Sequence, residues 1–104
     1  DIGKDFENAS IIAPITPKAE FGDIAEQTIR LTVDGRIAQE ATLADMIWSV
    51  PEIIAHLSRF YHLEPGDLIY TGTPAGVGPV LPGNVLLGEI DGLAPLHLTI
   101  TAAE

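Results

Sequence analysis

From Thr28 to Val33 polar and apolar residues alternate, Thr28, Arg30 and Thr32 against Ile29, Leu31 and Val33. This is the period-two pattern of a strand with one face on a core. Asp34-Gly35 follows directly, and a pair that tolerates positive φ predicts a type I′ turn with Arg36 to Glu40 returning antiparallel. Two capping-box patterns come next, Thr42-Leu43-Ala44-Asp45 and Ser49-Val50-Pro51-Glu52. Each sets a hydroxyl that accepts a free amide three residues ahead of an acid. Behind the second, Val50, Ile53, Ile54, Leu57 and Tyr61 form one apolar stripe, predicting a helix of about three turns. Pro51 falls in its first turn, where a missing amide costs nothing.

Beyond the Pro65-Gly66 turn, Leu68-Ile69-Tyr70 is a short strand candidate, and Val85 to Ile90 and Leu96 to Thr101 are two more, joined around Asp91-Gly92. Asn8 to Gly22 holds Pro14, Pro17 and Gly22, which exclude a regular helix. Its Ile11, Ile12 and Ile15 suggest an extended crossing buried against a core. Thr71 to Gly83 is too rich in glycine and proline for helix or central strand and reads as a shaped loop. The expected inventory is about five strands and one good helix, a mainly β chain with one or two short helices.

Composition narrows the partners. Fifteen acidic against five basic residues leave a net charge of −10 in 104 residues. Such a chain lacks the basic footprint of a nucleic-acid binder and is repelled by anionic membranes. At 46% apolar residues and a mean hydropathy of +0.26 it is too hydrophobic for an acidic disordered tail. There is no cysteine, which removes disulfides, thiolate nucleophiles and zinc-thiolate sites and fits a reducing cytoplasm. The N-terminal residues form no targeting signal, and no apolar run approaches the ~20 residues of a membrane span. The chain starts without Met, consistent with a segment of a longer gene product.

Few residues suggest chemistry. Asp67 to Gly78 reads as a strand running into a glycine-hydroxyl loop, Thr71-Gly72-Thr73-Pro74-Ala75-Gly76-Val77-Gly78. Free amides and the Thr71 and Thr73 hydroxyls suit a carboxylate or phosphate, and a plain tight connection fits the same pattern; no lysine follows as in a P-loop. Lys4, one of five cations, is either an oxyanion partner or a solvated charge beside Asp5 and Glu7. His56, His62 and His97 share no metal-ligand spacing. Glu89 and Asp91 stand at strand spacing and could share a cation, but a strand end entering an Asp-Gly turn is the better explanation of the pair. Trp48, beside Met46 and Ile47, reads as a core or interface anchor.

With these segments in place, the chain resembles the C-terminal half of the fumarylacetoacetate hydrolase family. Gly3-Lys4-Asp5-Phe6 with Ala13-Pro14-Ile15, then Leu31-Thr32-Val33-Asp34-Gly35 and Asp45-Met46-Ile47-Trp48-Ser49-Val50-Pro51, carry part of the likeness. Leu63-Glu64-Pro65-Gly66-Asp67-Leu68-Ile69 and Thr71 to Pro79 carry the family's signature. The resemblance implies a mixed β-sandwich roll, of which residues 1–104 are the C-terminal part of one catalytic domain, its upstream half lying outside this chain. It implies a Mg²⁺-dependent (or Mn²⁺- or Ca²⁺-dependent) enzyme, a homodimer when complete, acting on a small 2-oxo or diketo acid in aromatic catabolism. The motif text is most similar to members that hydrolyse a C–C bond of an acylpyruvate, splitting fumarylpyruvate into fumarate and pyruvate. Oxaloacetate tautomerase or decarboxylase activity, and a non-catalytic module without a metal site, are the alternatives.

Residue by residue, Lys4 matches the family's active-site lysine, and Gly72 and Thr73 match the pair that holds the substrate carboxylate. The family's metal-binding Glu-x-Glu pair, its following Asp and its His-Glu dyad precede the lysine segment, so no metal ligand is expected in this chain, which alone is expected to be inactive. Glu89-Ile90-Asp91 does not align with that motif.

Overall fold

A computed structural model describes residues 10–102. It contains a helical turn α1 (Lys18–Phe21), strands β1 (Thr28–Val33) and β2 (Arg36–Thr42), a 3₁₀ turn (Leu43–Asp45), helix α2 (Val50–Leu57), and strands β3 (Val85–Ile90) and β4 (Leu96–Thr99). The strands form one antiparallel sheet in the order β2-β1-β3-β4. Mainly β architecture with two short helices is as expected.

The hairpin forms for the reason its sequence indicates. Asp34 (φ 50°) and Gly35 (φ 81°) both take positive φ, the geometry that matches the twist of the flanking strands. The Asp34 carboxylate also accepts from the Val85 amide (2.8 Å) and from Asn84 Nδ2 (2.7 Å), tying the hairpin turn to the start of β3. At the other end of the sheet Asp91 accepts from the Thr28 amide (2.9 Å). Its carboxylate is thus occupied in fixing the entry to β1.

Both capping boxes form ties. The Thr42 amide donates to Asp45 (3.1 Å). Ser49 Oγ accepts from the Glu52 amide (3.3 Å) while Glu52 accepts from the Ser49 amide (2.9 Å), with Pro51 in the first turn. These bonds to the charged form hold the Glu52 carboxyl below its ordinary value.

Several expectations are corrected. Helix α2 stops at Leu57, a turn short of Tyr61, where the Ser58 hydroxyl donates to the Ala55 carbonyl (2.9 Å) and competes with the helical ladder. Leu68-Ile69-Tyr70 pairs with no described strand, and Leu68 and Tyr70 are exposed. Four strands are therefore present among the described residues. β4 ends at Thr99, although Ile100 still bonds Gly83 and Asn84. Between Pro17 and Gly22 the chain makes one helical turn, bounded by the residues expected to forbid a helix. Ile12 and Ile15 are 59% and 78% exposed, so the segment is no buried crossing. Its anchor is Phe21, whose ring sits where a side chain on Gly92 would otherwise lie.

No described residue is buried. The accessible surface is 8432 Å², against roughly 5,600 Å² for a compact folded chain of this mass. Exposed large apolar side chains include Ile37 and Val85 on the sheet, Ile54 on α2, and Ile47, Trp48, Phe60 and Tyr61 in the segments flanking that helix. Among the described residues no helix is long and apolar enough to cross a membrane.

The Ser49–Glu52 box yields a pH-resolved test. Ser49→Ala should cost about 1 kcal/mol. Because the Glu52 pKa is depressed on folding, its contribution is present above the ordinary value of 4.5 and is lost as pH falls through the folded value. The stability gap between wild type and Glu52→Ala, measured by denaturant titration, should shrink from pH 6 to pH 3; a constant gap contradicts this.

Candidate functional site

The glycine-hydroxyl loop does form without regular structure, and it lies against edge strand β2. The strand is not straight there. Leu31 faces Gln39 and Thr32 faces Ile37, leaving Ala38 as the extra residue of a β-bulge. A bulge bends a strand and re-aims its side chains. Here it presents the Ala38 carbonyl and the Gln39 side chain to the loop. Gly76 packs so closely on them that a Cβ would stand 2.6 Å from the Ala38 oxygen and 3.2 Å from Gln39 Cγ, at a φ of +104°. Gln39 Nε2 donates to Thr73 Oγ1 (2.9 Å) and to the Pro74 carbonyl (2.6 Å). Gly72, at φ +99°, meets open space, so there glycine serves the backbone bend alone.

Two clefts meet at this loop. One, of about 260 Å³, lies between Thr73, Pro74 and a row that crosses the sheet through Gln39, Leu31, Gly88 and Leu96. The other, of about 620 Å³, runs from Thr71–Ala75 to the 3₁₀ turn and the start of α2, past Met46, Ile47 and Trp48. Thr73 and Pro74 line both. Trp48 is 52% exposed rather than a core anchor. Its ring lies 5.6 Å from that of His56, which lies 5.3 Å from Phe60. The clefts are mainly apolar, with a few polar groups from the loop and from the sheet and 3₁₀ turn, the usual make-up of a small-molecule site.

The loop offers donors. Among the described residues, the amides of Gly72, Thr73, Ala75 and Gly76 have no partner, and the Thr73 hydroxyl donates to none. The charged neighbours are mostly acidic. Glu40 and Asp45 line the larger cleft, and Glu89 faces the smaller one. Arg30 also lines the smaller cleft, but it donates to Glu40, a hydrogen bond that holds the guanidinium more firmly protonated than usual. The geometry suits an anionic oxygen at Gly72–Thr73 with an apolar remainder in a cleft.

A divalent cation does not fit the described residues, since no three of their His, Asp or Glu side chains converge. Of the three candidate site residues, Gly72 and Thr73 both line the larger cleft; Lys4 lies outside the described residues. Gln39 was not singled out by sequence reasoning. Its position on the return strand was legible, but the bulge that aims it at a loop 34 residues away has no local signature.

Comparison with known proteins adds to this geometry. Residues 2–101 match the family model described as fumarylacetoacetate (FAA) hydrolase C-terminal. The chain is 48% identical to fumarylpyruvate hydrolase from Ralstonia sp. over 105 aligned positions, covering 100% of this chain and 54% of that protein. It is 42% identical to an oxaloacetate tautomerase of Escherichia coli strain K12, covering 86% of this chain and 41% of that one. The crystal structure of Pseudomonas aeruginosa fumarylpyruvate hydrolase in complex with Mn²⁺ and pyruvate superposes with a TM-score of 0.78 at 43% identity, covering 84% of this chain and 37% of that one. The chain thus spans about half the length, or less, of these relatives.

The seating of the loop predicts an order among its glycines. Gly72→Ala should cost about 1–2 kcal/mol for the backbone conformation alone. Gly76→Ala should cost a further ~1–3 kcal/mol, because the new methyl meets a backbone oxygen that cannot swing aside. Thermal denaturation of the two variants checks this; equal or reversed costs contradict the described contact.

Proposed function

The chain belongs to the fumarylacetoacetate hydrolase family, and from that premise we propose that residues 1–104 form the C-terminal part of one catalytic domain of an acylpyruvate hydrolase. Its substrate is fumarylpyruvate. The observation that carries this reading is the Thr73 loop: a hydroxyl with a free proton and amides without a partner among the described residues, held on β2 and lining a mainly apolar cleft. A relative of the same fold is bound to pyruvate and Mn²⁺, and a 48% identical relative is a fumarylpyruvate hydrolase.

In this reading water adds to the distal carbonyl carbon of the diketo acid, and the C–C bond breaks with its electrons on the pyruvate half. That enolate takes up a proton to give pyruvate, while the acyl half leaves as fumarate. The part of this chain is binding and alignment. Thr73 donates to the carboxylate of the pyruvyl end, the Gly72 and Thr73 amides share its charge, and the distal chain extends into the cleft beside Met46 and Trp48. Holding that carboxylate fixes the scissile bond relative to the attacking water, an entropic advantage over free reactants. Lys4 supplies a cation toward the developing enolate charge. A divalent ion, Mg²⁺ or Mn²⁺, is required and is held by groups outside residues 10–102. The complete protein is a cytoplasmic homodimer, a role for which the uncovered apolar surface is suited.

Tautomerisation or decarboxylation of oxaloacetate is the second reading, favoured by the 42% identical tautomerase. It uses the same carboxylate contact, so the substrates separate the two. The full-length protein should consume the fumarylpyruvate chromophore, lose that activity with a chelator and regain it with Mg²⁺ or Mn²⁺. Its kcat/KM for fumarylpyruvate should exceed that for oxaloacetate by at least about 100-fold, a difference of ~2.7 kcal/mol in transition-state binding. Thr73→Val should lower kcat/KM about 10–100-fold, the worth of a hydrogen bond to a charged group, and Lys4→Ala should remove most of the rate. Unchanged turnover in both variants contradicts the assignment, and preference for oxaloacetate moves it to the second reading.

A further inference from the structure

Gln39 does more than brace the loop. Its amide nitrogen has two protons and two acceptors, Thr73 Oγ1 at 2.9 Å and the Pro74 carbonyl at 2.6 Å. The Pro74 carbonyl only accepts, so it fixes which end of the amide faces the loop; turned over, the Gln39 oxygen would oppose a carbonyl oxygen. The nitrogen is therefore committed to donating to Thr73. A hydroxyl has one proton, and one that accepts from Gln39 is free to give its own away. Among the described residues nothing takes that proton.

We propose that Gln39 is a positioning residue that sets the polarity of the Thr73 hydroxyl, keeping it a donor toward the substrate carboxylate. The proposal rests on the reading of Thr73 as the carboxylate contact. It explains why a half-buried amide on an edge strand is aimed by a bulge at this one hydroxyl. It also bears on selectivity by charge, because a hydroxyl that already accepts from Gln39 and keeps its proton free is better matched to an anionic oxygen than to a second donor.

The test is the affinity of the full-length protein for pyruvate, with the divalent ion saturating, in wild type, Thr73→Val, Gln39→Met and the double variant. Thr73→Val should weaken pyruvate about 10–100-fold. Gln39→Met, of similar length but without a donor, should weaken it roughly fivefold or more while Thr73 is present and less than about twofold once Thr73 is replaced by valine, since orientation matters only to a hydroxyl. An equal loss in both backgrounds would mean that Gln39 merely supports the loop, and would overturn the proposal. So would an unchanged affinity in Gln39→Met alongside a weakened Thr73→Val. Unchanged affinity in Thr73→Val instead overturns the assignment of the site itself. If Gln39→Met does not fold, Gln39→Glu makes the same comparison. Its carboxylate accepts the hydroxyl proton, so the loss it causes should be at least about fivefold larger in the wild-type background than in the Thr73→Val background.

Discussion

The contact between Gln39 and the Thr73–Pro74 segment is the interaction on which the site depends. A loop with this much glycine and proline has little structure of its own, and its shape must be imposed from outside. The imposition comes from an edge strand through two features: a bulge at Ala38 against which Gly76 closes, and the Gln39 amide that holds both a hydroxyl and a carbonyl. With the loop seated this way, Thr73 lines both clefts, and its neighbouring amides have no partner among the described residues. Remove the seat and the same residues would be an unstructured connection.

Electrostatics set a second constraint. The chain carries −10, and the clefts have Glu40, Asp45 and Glu89 on their walls while Arg30 is engaged by Glu40. Neutral donors acting in that field hold an anion weakly. Hydrogen bonds from a hydroxyl and amides orient a carboxylate well, but they do not offset several nearby negative charges. The acidity of the chain therefore supports the proposed dependence on a cation and on Lys4, and it assigns the described loop to orientation rather than to the bulk of the binding energy.

What the sequence made legible was local. The hairpin followed from six alternating residues and Asp34-Gly35, and α2 from Ser49, Pro51 and Glu52. The loop was identifiable because its glycines and prolines leave no other choice, and Gly72-Thr73 could be marked by family resemblance. The misses were matters of context. Ile11, Ile12 and Ile15 looked like core because apolar residues are read as buried, yet no second layer lies over them among the described residues. Leu68-Ile69-Tyr70 has strand composition but no described partner, and composition does not supply one. The end of α2 coincides with a Ser58 hydroxyl bond to the Ala55 carbonyl and a shift of the Arg59 amide to the His56 carbonyl, which an apolar stripe does not reveal. Gln39 was invisible for the deepest reason: its importance comes from a register shift and a contact across 34 residues.

The central claim is that the Thr73 hydroxyl, oriented by Gln39, receives the carboxylate of a 2-oxo acid. The most direct measurement is a crystal structure of the full-length protein with pyruvate and a divalent ion. A pyruvate carboxylate oxygen is expected within hydrogen-bond distance of Thr73 Oγ1 while Gln39 Nε2 still donates to that same hydroxyl. Pyruvate bound with its carboxylate away from Thr73, or Thr73 Oγ1 engaged with Gln39 Oε1 instead, would contradict it.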